Sequence, residues 1–295
     1  MIRSEADLFP EVLTENLWLL GNYYFSLYLI RGAHASALIE TGISATCDAV
    51  IGQLDSLGIA PDYIVVTHPH SDHATGLTGL CERFPRAIPI IGQGAREFVA
   101  HPKALAAMIR EDRFMSKSLS ERGYPVGRPP IEAFGFPESL MEVVGPHEID
   151  LGGLTLRCLP VQGHSPGNIV VHIPEKEALM VSDSLGFHYP GRFICPLVFT
   201  GLSDYLSTVE VLAALKPRIL GFGHQGSLND AEAAAAFIAA REATLGLRDE
   251  IILNRVDARL AERLYERYYR DEFTLYSEEN IIGCMRLLIR RCLEA

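Results

Sequence analysis

The sequence predicts a mixed α/β fold followed by a helical C-terminal layer, and three observations support this. The 295 residues are 48% hydrophobic and 21% charged, which is typical of a globular protein and excludes disordered and fibrous classes. Short apolar runs alternate with helical repeats as far as residue 243, which predicts strands and helices in turn. Beyond residue 248 the apolar residues recur only at helical spacing, so we expect helices alone there.

Strands are expected wherever a short apolar or β-branched run is bounded by turn residues. These runs lie at 17–20, 25–30, 36–40, 64–67, 154–161, 169–173, 178–181 and 219–222. Helices are expected where apolar residues recur every three or four positions, at 46–57, 204–215 and 230–243. Gly58 can end the first of these helices in a left-handed conformation, and Asn229 precedes the last as an N-cap.

The segment 95–141 interrupts this alternation. It contains helical pieces at 104–108 and 110–119, followed by a stretch rich in proline and glycine at 123–130. A connection of this length between core elements is usually a lid or a binding insertion. We therefore expect a helical lid, with a packing appendage as the alternative.

The C-terminal segment is predicted to form two helices, at 248–270 and 277–293. In the first, apolar residues recur at four-residue spacing: Ile252, Val256, Leu260 and Leu264. Ser277 is a credible N-cap for the second, because acidic residues follow it in the first turn, where the helix dipole favours them. We predict one catalytic domain at 1–244 and a helical cap at 245–295.

Composition also restricts the partners and the location of the protein. With 26 Lys and Arg against 37 Asp and Glu, the net charge of −11 argues against a nucleic-acid partner. No apolar stretch approaches the roughly 20 residues needed to cross a bilayer, and residues 1–5 lack the start of a signal peptide. The six cysteines form no CxxC pair, which favours reduced thiols. We expect a cytoplasmic protein without a membrane partner.

The strongest chemical signal is the sequence Thr-His-Pro-His-Ser-Asp-His, which directly follows the apolar run at 64–66. It supplies four candidate ligands within six residues: His68, His70, Asp72 and His73. Imidazole and carboxylate groups are the ligands that divalent Zn, Fe and Mn accept in proteins. The segment therefore predicts a metal site.

Three further candidate ligands each lie just beyond the end of an apolar run. His164 follows the strand at 154–161, Asp183 ends the run at 178–183, and His224 follows 219–222. Loops at one edge of a rigid sheet are where scaffolds build functional sites. Each residue alone is a weak signal, but their shared placement predicts that they join the same site.

This series of motifs, HxHxDH, then His in a GHSPG turn, then Asp, then a late His, resembles the metallo-β-lactamase-fold hydrolases over about residues 12–230. The resemblance implies a four-layer αββα sandwich with two divalent metal ions. By motif position, one metal would take His68, His70 and His164, the other would take Asp72, His73 and His224, and Asp183 would bridge them. The chain departs from the family at three other positions, where it has Glu40, Asn168 and Ser182 in place of Asp, His and Gly. His70 also disfavours the diiron flavoprotein branch, which has Glu at that position.

A finer resemblance, spanning nearly the whole chain, is to the PqsE-like thioesterases of the quinolone-signal response. It rests on the segments 182–187, 196–199, 205–206 and 283–286. It implies that the C-terminal helices cover the metal cleft, with Phe199 and Cys284 lining the substrate pocket. The chain has Phe187 where these proteins have Glu and Cys284 where they have Ser. We also regard Phe187, His188 and Tyr124 as candidate pocket residues.

Charge and chemistry together predict a hydrolase. Two divalent ions, Asp72, Asp183 and a hydroxide leave about one positive charge in the cleft, which suits an anionic substrate. Metal-bound hydroxide is available at neutral pH, so we predict attack on a small organic ester or thioester, with acyl-CoA among the candidates. Asp72 is the best candidate to carry a proton to the leaving group, although it could serve only as a ligand.

Four questions stay open at this point. A lactone or a phosphodiester is accessible to the same centre, and a PqsE-like regulator whose signalling does not need hydrolysis is the third interpretation. The metal is Zn, Fe or Mn. A homodimer is also compatible with the sequence. Four arginines recur at four-residue spacing: Arg255, Arg259, Arg263 and Arg267. They predict a basic stripe that contacts a phosphate or a second subunit. The alternative is a solvated face with internal ion pairs.

Overall fold

Strands that are apolar on both faces determine the architecture of this protein. Its computed structural model describes residues 9–294. In β3 (Ser26–Arg31), Tyr28 and Ile30 pack towards a second sheet, whereas Leu27 and Leu29 pack among helices. Alternation of this kind requires a partner layer on each side of the strand. The result is a pair of facing sheets with helices outside them, which confirms the predicted mixed α/β fold.

The first sheet has seven strands in sequence order, antiparallel up to β4 and parallel from there. Its strands are β1 (Glu11–Thr14), β2 (Leu17–Gly21), β3, β4 (Ser36–Ile39), β5 (Tyr63–Val65), β6 (Ile88–Gly92) and β7 (Met141–Val143). Strands β1, β6 and β7 were not among the predicted runs. β1 and β7 lie at the edges of the sheet, where fewer residues are buried and the apolar signal is weaker.

The second sheet has the order β15-β14-β11-β10-β9-β8. Its strands are β8 (His147–Asp150), β9 (Thr155–Pro160), β10 (Ile169–Ile173), β11 (Ala178–Met180), β14 (Ile219–Gly221) and β15 (Ser227–Asn229). A short hairpin, β12 (Phe187–Tyr189) and β13 (Phe193–Cys195), stands apart from both sheets. The apolar residues between the two large sheets form a core of their own.

The helices cover the outer faces and one end of the sandwich. They are α1 (Cys47–Leu57), α2 (Ser71–Ala74), α3 (Leu77–Arg83), α4 (Ala95–Ala100), α5 (Pro102–Glu121), α6 (Leu202–Ala213), α7 (Asp230–Leu253), α8 (Leu260–Tyr268) and α9 (Glu278–Leu293). Gly58 ends α1 with a φ of 64°, as its sequence position predicts. Among residues 9–294, no helix is both long enough and apolar enough to cross a membrane. Residues 1–5, used in the expectation of a cytoplasmic protein, lie outside the described part.

The inserted segment differs from its prediction in one respect. The two expected helical pieces are a single helix, α5, which packs against α2 and α4. Its buried residue Asp112 anchors it, because the carboxylate accepts hydrogen bonds from Ser44, Thr75 and the backbone N–H of Ile131. A buried carboxylate with these partners ties the insertion firmly to the segments that carry Ser44 and Thr75.

The expected helix at 248–270 is wrong as a single element, because the chain turns between α7 and α8. The side-chain amide of Asn254 donates to the carbonyl of Glu250 at 2.8 Å, and Asp257 accepts the backbone N–H of Arg259. Local bonds of this kind compete with helix continuation. Val256, expected to be buried, is 91% exposed. Helix α7 itself runs through residue 244, so the predicted catalytic domain and cap are joined by helix rather than by a linker.

The predicted arginine stripe does not form on one helix. Arg255 lies in the turn between α7 and α8, while Arg267 pairs with Glu250 at 2.7 Å and Arg263 pairs with Asp257. Arg259 lies 4.0 Å from Glu266. Arg259, Arg263 and Arg267 thus form a solvated, internally paired surface, which was the alternative interpretation.

Candidate metal centre

The His-rich segment reaches the edge of the first sheet because α2 begins within it, just after β5. His70 is extended at the N-cap of α2, and Asp72 and His73 lie in the first turn. His68 lies between β5 and α2 and is fully buried. The turn from strand to helix therefore brings the ligand side chains of one short segment together.

The first donor group consists of His68, His70 and His164. Nε2 of His68 lies 3.0 Å from Nδ1 of His70 and 3.2 Å from Nε2 of His164. Burial lowers the pKa of all three rings, that of His70 to about 3. The rings are therefore neutral at physiological pH, which is the form that binds a metal.

The second donor group consists of Asp72, His73, Asp183 and His224. Nε2 of His73 lies 3.3 Å from Asp72 and 3.5 Å from Asp183, and Nε2 of His224 lies 3.4 Å from Asp72. Burial raises the pKa of Asp183, but His73 and His224 outweigh it and hold that pKa at about 2. Two ionised carboxylates in a buried site call for compensating positive charge.

One buried atom tests whether a metal fits this group. Nε2 of His73 has no hydrogen-bond partner within residues 9–294, although it faces both carboxylates. Oδ2 of Asp183 is 3.5 Å from this nitrogen and 3.8 Å from Nε2 of His164, so Asp183 lies between the two donor groups. The donor set and its convergence fit divalent metal ions.

The outer nitrogens of two ligand histidines are held by backbone carbonyls. Nδ1 of His164 lies 2.9 Å from the carbonyl of Leu197, and Nδ1 of His224 lies 2.7 Å from that of Tyr24. Because a carbonyl only accepts, each Nδ1 must donate and each Nε2 is directed to the site. Support of this kind fixes the tautomer that a metal ligand needs.

Glu40, one of the departures from the family pattern, gives His73 the same support. Its Oε2 lies 3.0 Å from Nδ1 of His73, and its Oε1 accepts a hydrogen bond from Thr67 at 2.7 Å. The backbone of Glu40 has a φ of 75°, a left-handed conformation that is rare for a side chain of this size. The hydroxyl of Ser182, another departure, lies 3.1 Å from that of Thr67. Although Glu40 is longer than the aspartate of the family pattern, its carboxylate thus still contacts His73.

Residues 26–224 match the family described as the metallo-beta-lactamase superfamily. The chain belongs to the metallo-beta-lactamase superfamily. This range contains all seven donors, and with them the chain is a metallo-hydrolase of this superfamily. The finer resemblance to PqsE-like thioesterases stays a prediction.

Two curated relatives and one solved structure are similar to this metallo-beta-lactamase superfamily member. ST1585 of Sulfurisphaera tokodaii, a metallo-beta-lactamase fold-containing protein, is 27% identical over 220 residues, 74% of each chain. The acyl-coenzyme A thioesterase MBLAC2 of Gallus gallus is 26% identical over 221 residues, 68% of this chain and 73% of the relative. TTHA1429 of Thermus thermophilus superposes with a TM-score of 0.63 at 24% identity, covering 93% of this chain and 94% of that one. The last likeness concerns the fold alone.

In this superfamily member, a cavity of about 420 Å³ leads to the donor groups. His70, Asp72, His164 and Asp183 lie at its inner end. Its walls are mainly apolar and include Phe98, Met108, Phe187, Phe199, Phe273 and Ile281. The walls come from α4, α5, the β12–β13 region and the C-terminal segment, so both the insertion and the cap enclose the site, as expected.

The predicted pocket residues divide into two sets. Phe187, Phe199 and Cys284 line the cavity. His188, on the opposite face of β12 from Phe187, instead stacks on Phe222 with ring centroids 5.1 Å apart. Tyr124 packs edge-on against Tyr24 at 5.4 Å. The structure places neither His188 nor Tyr124 among the cavity-lining residues, which corrects the expectation for these two.

Tyr276 is a site residue that the sequence pattern did not reveal. Its hydroxyl donates to Oδ2 of Asp72 at 2.8 Å and lies 3.3 Å from Nε2 of His224. Burial raises the pKa of Tyr276 well above its usual value, as do Asp72 and Asp183, so the phenol stays a donor. The one available signal was its position directly before the predicted N-cap Ser277.

Glu111, from the insertion, is a second residue that the sequence pattern did not reveal. It lines the cavity and accepts from the backbone N–H of Ser277 at 3.2 Å and from the Ser277 hydroxyl. Burial raises the pKa of this carboxyl, although its bonds to Ser277 oppose the rise. Glu111 thus joins the two segments that enclose the cavity, α5 and the start of α9.

Proposed function

We propose that the protein is a dinuclear metal-dependent hydrolase of small organic thioesters or esters, with an acyl-CoA as the first candidate substrate. The observation that carries the proposal is the position of both donor groups at the inner end of one apolar cavity. An apolar wall suits an acyl group, and the ligands reach the place where its carbonyl carbon would lie. The similarity to MBLAC2, which is named as an acyl-coenzyme A thioesterase, supports a thioester.

Two sets of donor residues, with one shared member, would hold the two metal ions. His68, His70 and His164 would hold one ion, and Asp72, His73 and His224 would hold the other. Asp183, which lies between the groups, would contact both. Such ions supply a nucleophilic hydroxide at neutral pH and polarise the substrate carbonyl.

Asp72 is the group of the chain that is placed to handle protons, and Tyr276 holds it in position. Asp72 lines the cavity, and its Oδ2 is held by the Tyr276 hydroxyl. A carboxylate fixed in this way keeps one orientation while it accepts a proton from the nucleophile and passes it to the leaving group. A thiolate is a good leaving group and needs little such help, so this role weighs more for an ester than for a thioester.

The aromatic walls position the acyl group and exclude water. Phe98 and Phe199 lie 6.1 and 6.2 Å from the ring of His70, and Phe187 lies 5.1 Å from that of His224. These rings surround the donors on the cavity side. An apolar acyl group next to the metals is therefore favoured over a phosphodiester, whose negative charge would lie against these rings.

The test is a substrate panel with purified protein loaded separately with Zn, Fe or Mn. We expect metal-dependent release of thiol from acyl-CoA or acyl-glutathione thioesters, followed with a thiol reagent. The control is the Asp183→Asn variant, which removes a charge shared by both donor groups. Turnover of lactones or phosphodiesters without turnover of any thioester or open-chain ester would overturn the proposal. Metal analysis of protein expressed without supplementation identifies the ion.

A further inference from the structure

Helix α9 forms a long wall of the cavity and runs along it. Its lining residues recur at three- and four-residue spacing on one face: Asn280, Ile281, Cys284, Leu287, Arg290 and Arg291. The helix begins beside Tyr276, which is bonded to Asp72 at the inner end. At about 1.5 Å per residue, the eleven steps from Asn280 to Arg291 span about 16 Å. Helix α9 therefore lines the cavity over roughly this length, from the inner end beside Tyr276 to an outer end at Arg290 and Arg291.

The outer end carries two arginines. The side chain of Arg290 is 61% exposed and lies 3.8 Å from Glu294. Arg291 is less exposed, and its Nε donates to the carbonyl of Phe199 at 3.0 Å while Nη1 donates to Glu294 at 2.6 Å. Phe199 is itself a wall residue. Two guanidinium groups against one carboxylate leave net positive charge at the mouth, in a protein whose net charge is −11.

Arginines near the end of a helix also have a simpler role, since they interact favourably with its dipole. That role does not require them to line a cavity. Arg286, one turn earlier on the same helix, pairs with Glu262 at 3.5 Å and is not a lining residue. It therefore provides a matched control: the same residue type on the same helix, with its charge directed away from the cavity.

We propose that Arg290 and Arg291 form an anion-binding subsite that recognises a phosphate on the thiol portion of a thioester substrate. This inference rests on the proposed function. Guanidinium groups bind phosphate through paired charge-assisted hydrogen bonds. The Nη2 of Arg291 makes no hydrogen bond within residues 9–294, and Arg290 makes only its ion pair there, so both have donors to offer.

The kind of thiol follows from how far its phosphate can reach from its sulfur. A pantetheine arm has about 13 bonds between its sulfur and its phosphate, and at the roughly 1.2 Å advance per bond of an extended chain it spans about 16 Å. An arm of this length is long enough to bring its phosphate to the arginines when its sulfur lies beside the donors. Coenzyme A and a phosphopantetheine group on a carrier protein share this chemistry.

The reaction is an ordinary hydrolysis. The oxygen of water bonds to the carbonyl carbon and the C–S bond breaks. One proton of water leaves on the thiol, and the other is released as the carboxylic acid ionises. The subsite takes no part in these steps and acts on the phosphate alone.

The experiment compares three substrates with the same acyl group: acyl-CoA, acyl-phosphopantetheine, and acyl-pantetheine, which lacks the phosphate. The quantity measured is the ratio of kcat/KM for each phosphorylated substrate to that for acyl-pantetheine. In the Arg290→Gln/Arg291→Gln double variant we expect this ratio to fall by about tenfold or more, because a charge-assisted contact is lost. The Arg286→Gln variant should keep the wild-type ratio.

Two further variants make the test robust. Arg290→Gln alone changes an exposed side chain with a single ion pair, so it should fold even if the double variant does not, and it should lower the ratio. Glu294→Gln removes the carboxylate that competes for both arginines and should raise the ratio. Equal effects with acyl-CoA and acyl-phosphopantetheine show that the phosphate they share is recognised, whereas an effect confined to acyl-CoA shows that its nucleotide phosphates are the ones bound. Both results support the subsite and distinguish the source of the phosphate.

The outcomes separate the two proposals. If all three substrates are turned over and the ratio is unchanged in both the double variant and Arg290→Gln, the subsite is overturned and the proposed function is not. Failure of metal-loaded wild-type protein to release thiol from any thioester, while it hydrolyses lactones, overturns the proposed function and the subsite together.

Discussion

The phenol of Tyr276 is the point at which the C-terminal segment meets the donor groups. Its hydroxyl contacts two donors at once, Asp72 and His224, from a position far along the chain. A hydroxyl that donates to a carboxylate limits the orientations of that carboxylate. Tyr276 is therefore best described as a positioning residue for Asp72.

Replacing Tyr276 with Phe tests this role at the scale of one hydroxyl. We expect kcat to fall about tenfold, in line with the loss of one charge-assisted hydrogen bond, and the affinity for metal to weaken. Metal stoichiometry and steady-state kinetics measure both. Tyr265→Phe, on α8 and away from the donors, is the control. An unchanged kcat with unchanged metal content would contradict the assignment.

Glu40 offers a second test at the same scale. Glu40→Ala leaves Nδ1 of His73 and the hydroxyl of Thr67 without their shared acceptor. We expect metal affinity to fall about 10- to 100-fold, as is usual when a carboxylate that orients a ligand histidine is lost. Chelator competition measures this. Glu40→Asp, which restores the family residue, should lose much less, and equal losses in both variants would show that orientation of His73 is not the cause.

At the scale of elements, the start of α9 depends on Ser277. Its Oγ accepts the backbone N–H of Asn280 at 3.2 Å, which confirms the N-cap predicted from sequence, and its hydroxyl bonds to the buried carboxylate of Glu111. Capping alone contributes about 1 kcal/mol. The bond to Glu111 adds to this because it compensates a buried acid.

Ser277→Ala should therefore lower the free energy of unfolding by about 1–3 kcal/mol. Denaturant unfolding measures the change. Ser207→Ala, on the exposed face of α6, is a matched control and should change stability by less than about 0.5 kcal/mol. A loss no greater than that of the control would show that the cap and the Glu111 bond contribute little.

Glu272 connects the C-terminal segment to the β12–β13 hairpin, and its ionisation makes the stability of the fold depend on pH. Burial raises the pKa of this carboxyl, but the Tyr23 hydroxyl and Arg192 outweigh it and lower the pKa below its usual value of 4.5. A carboxyl with a lowered pKa stabilises the fold above the unfolded pKa, and this contribution is lost as pH falls through the folded one.

We therefore expect Glu272→Gln to be less stable than wild type at pH 7 and to approach it as pH falls below about 4.5. Urea unfolding at several pH values checks this. Glu279→Gln, in the first turn of α9, serves as the control because Glu279 makes no ion pair within residues 9–294. A difference that grows as pH falls would contradict the argument.

The elements also show what the sequence can and cannot predict. The convergence of the donors was predictable because each donor segment follows a strand, whose apolar run marks where the chain reaches the sheet edge. The end of α7 was not predictable, because Asn254 and Asp257 are also compatible with the surface of a continuous helix. Only the structure shows their bonds to the backbone. Tyr276 likewise has no neighbours in sequence that disclose its contact with Asp72, because that contact joins residues 204 positions apart.

At the scale of the whole molecule, the metal site connects the two sheets. His68 to His73 follow the first sheet, whereas His164, Asp183 and His224 follow strands of the second. An ion held by donors from both sheets therefore stabilises the sandwich as a whole, since the unfolded chain lacks the site.

Removal of metal should consequently lower the melting temperature of the protein. An ion at 1,000 times its Kd stabilises the native state by about 4 kcal/mol. Calorimetry of metal-loaded and chelator-treated protein measures the shift. In the Asp183→Asn variant the two forms should differ much less, and an equal shift in wild type and variant would place the stabilising ion elsewhere.

The order of the residues along the chain has a consequence for how the protein acquires its metals. The last donor, His224, precedes Tyr276 by 52 positions, and the cavity walls contributed by α9 come later still. Synthesis adds about 5–20 residues per second, so His224 is made about 3–10 s before Tyr276 and the walls contributed by α9. A nascent chain would thus offer an open cleft to an incoming ion, and the finished protein would have to admit only its substrate.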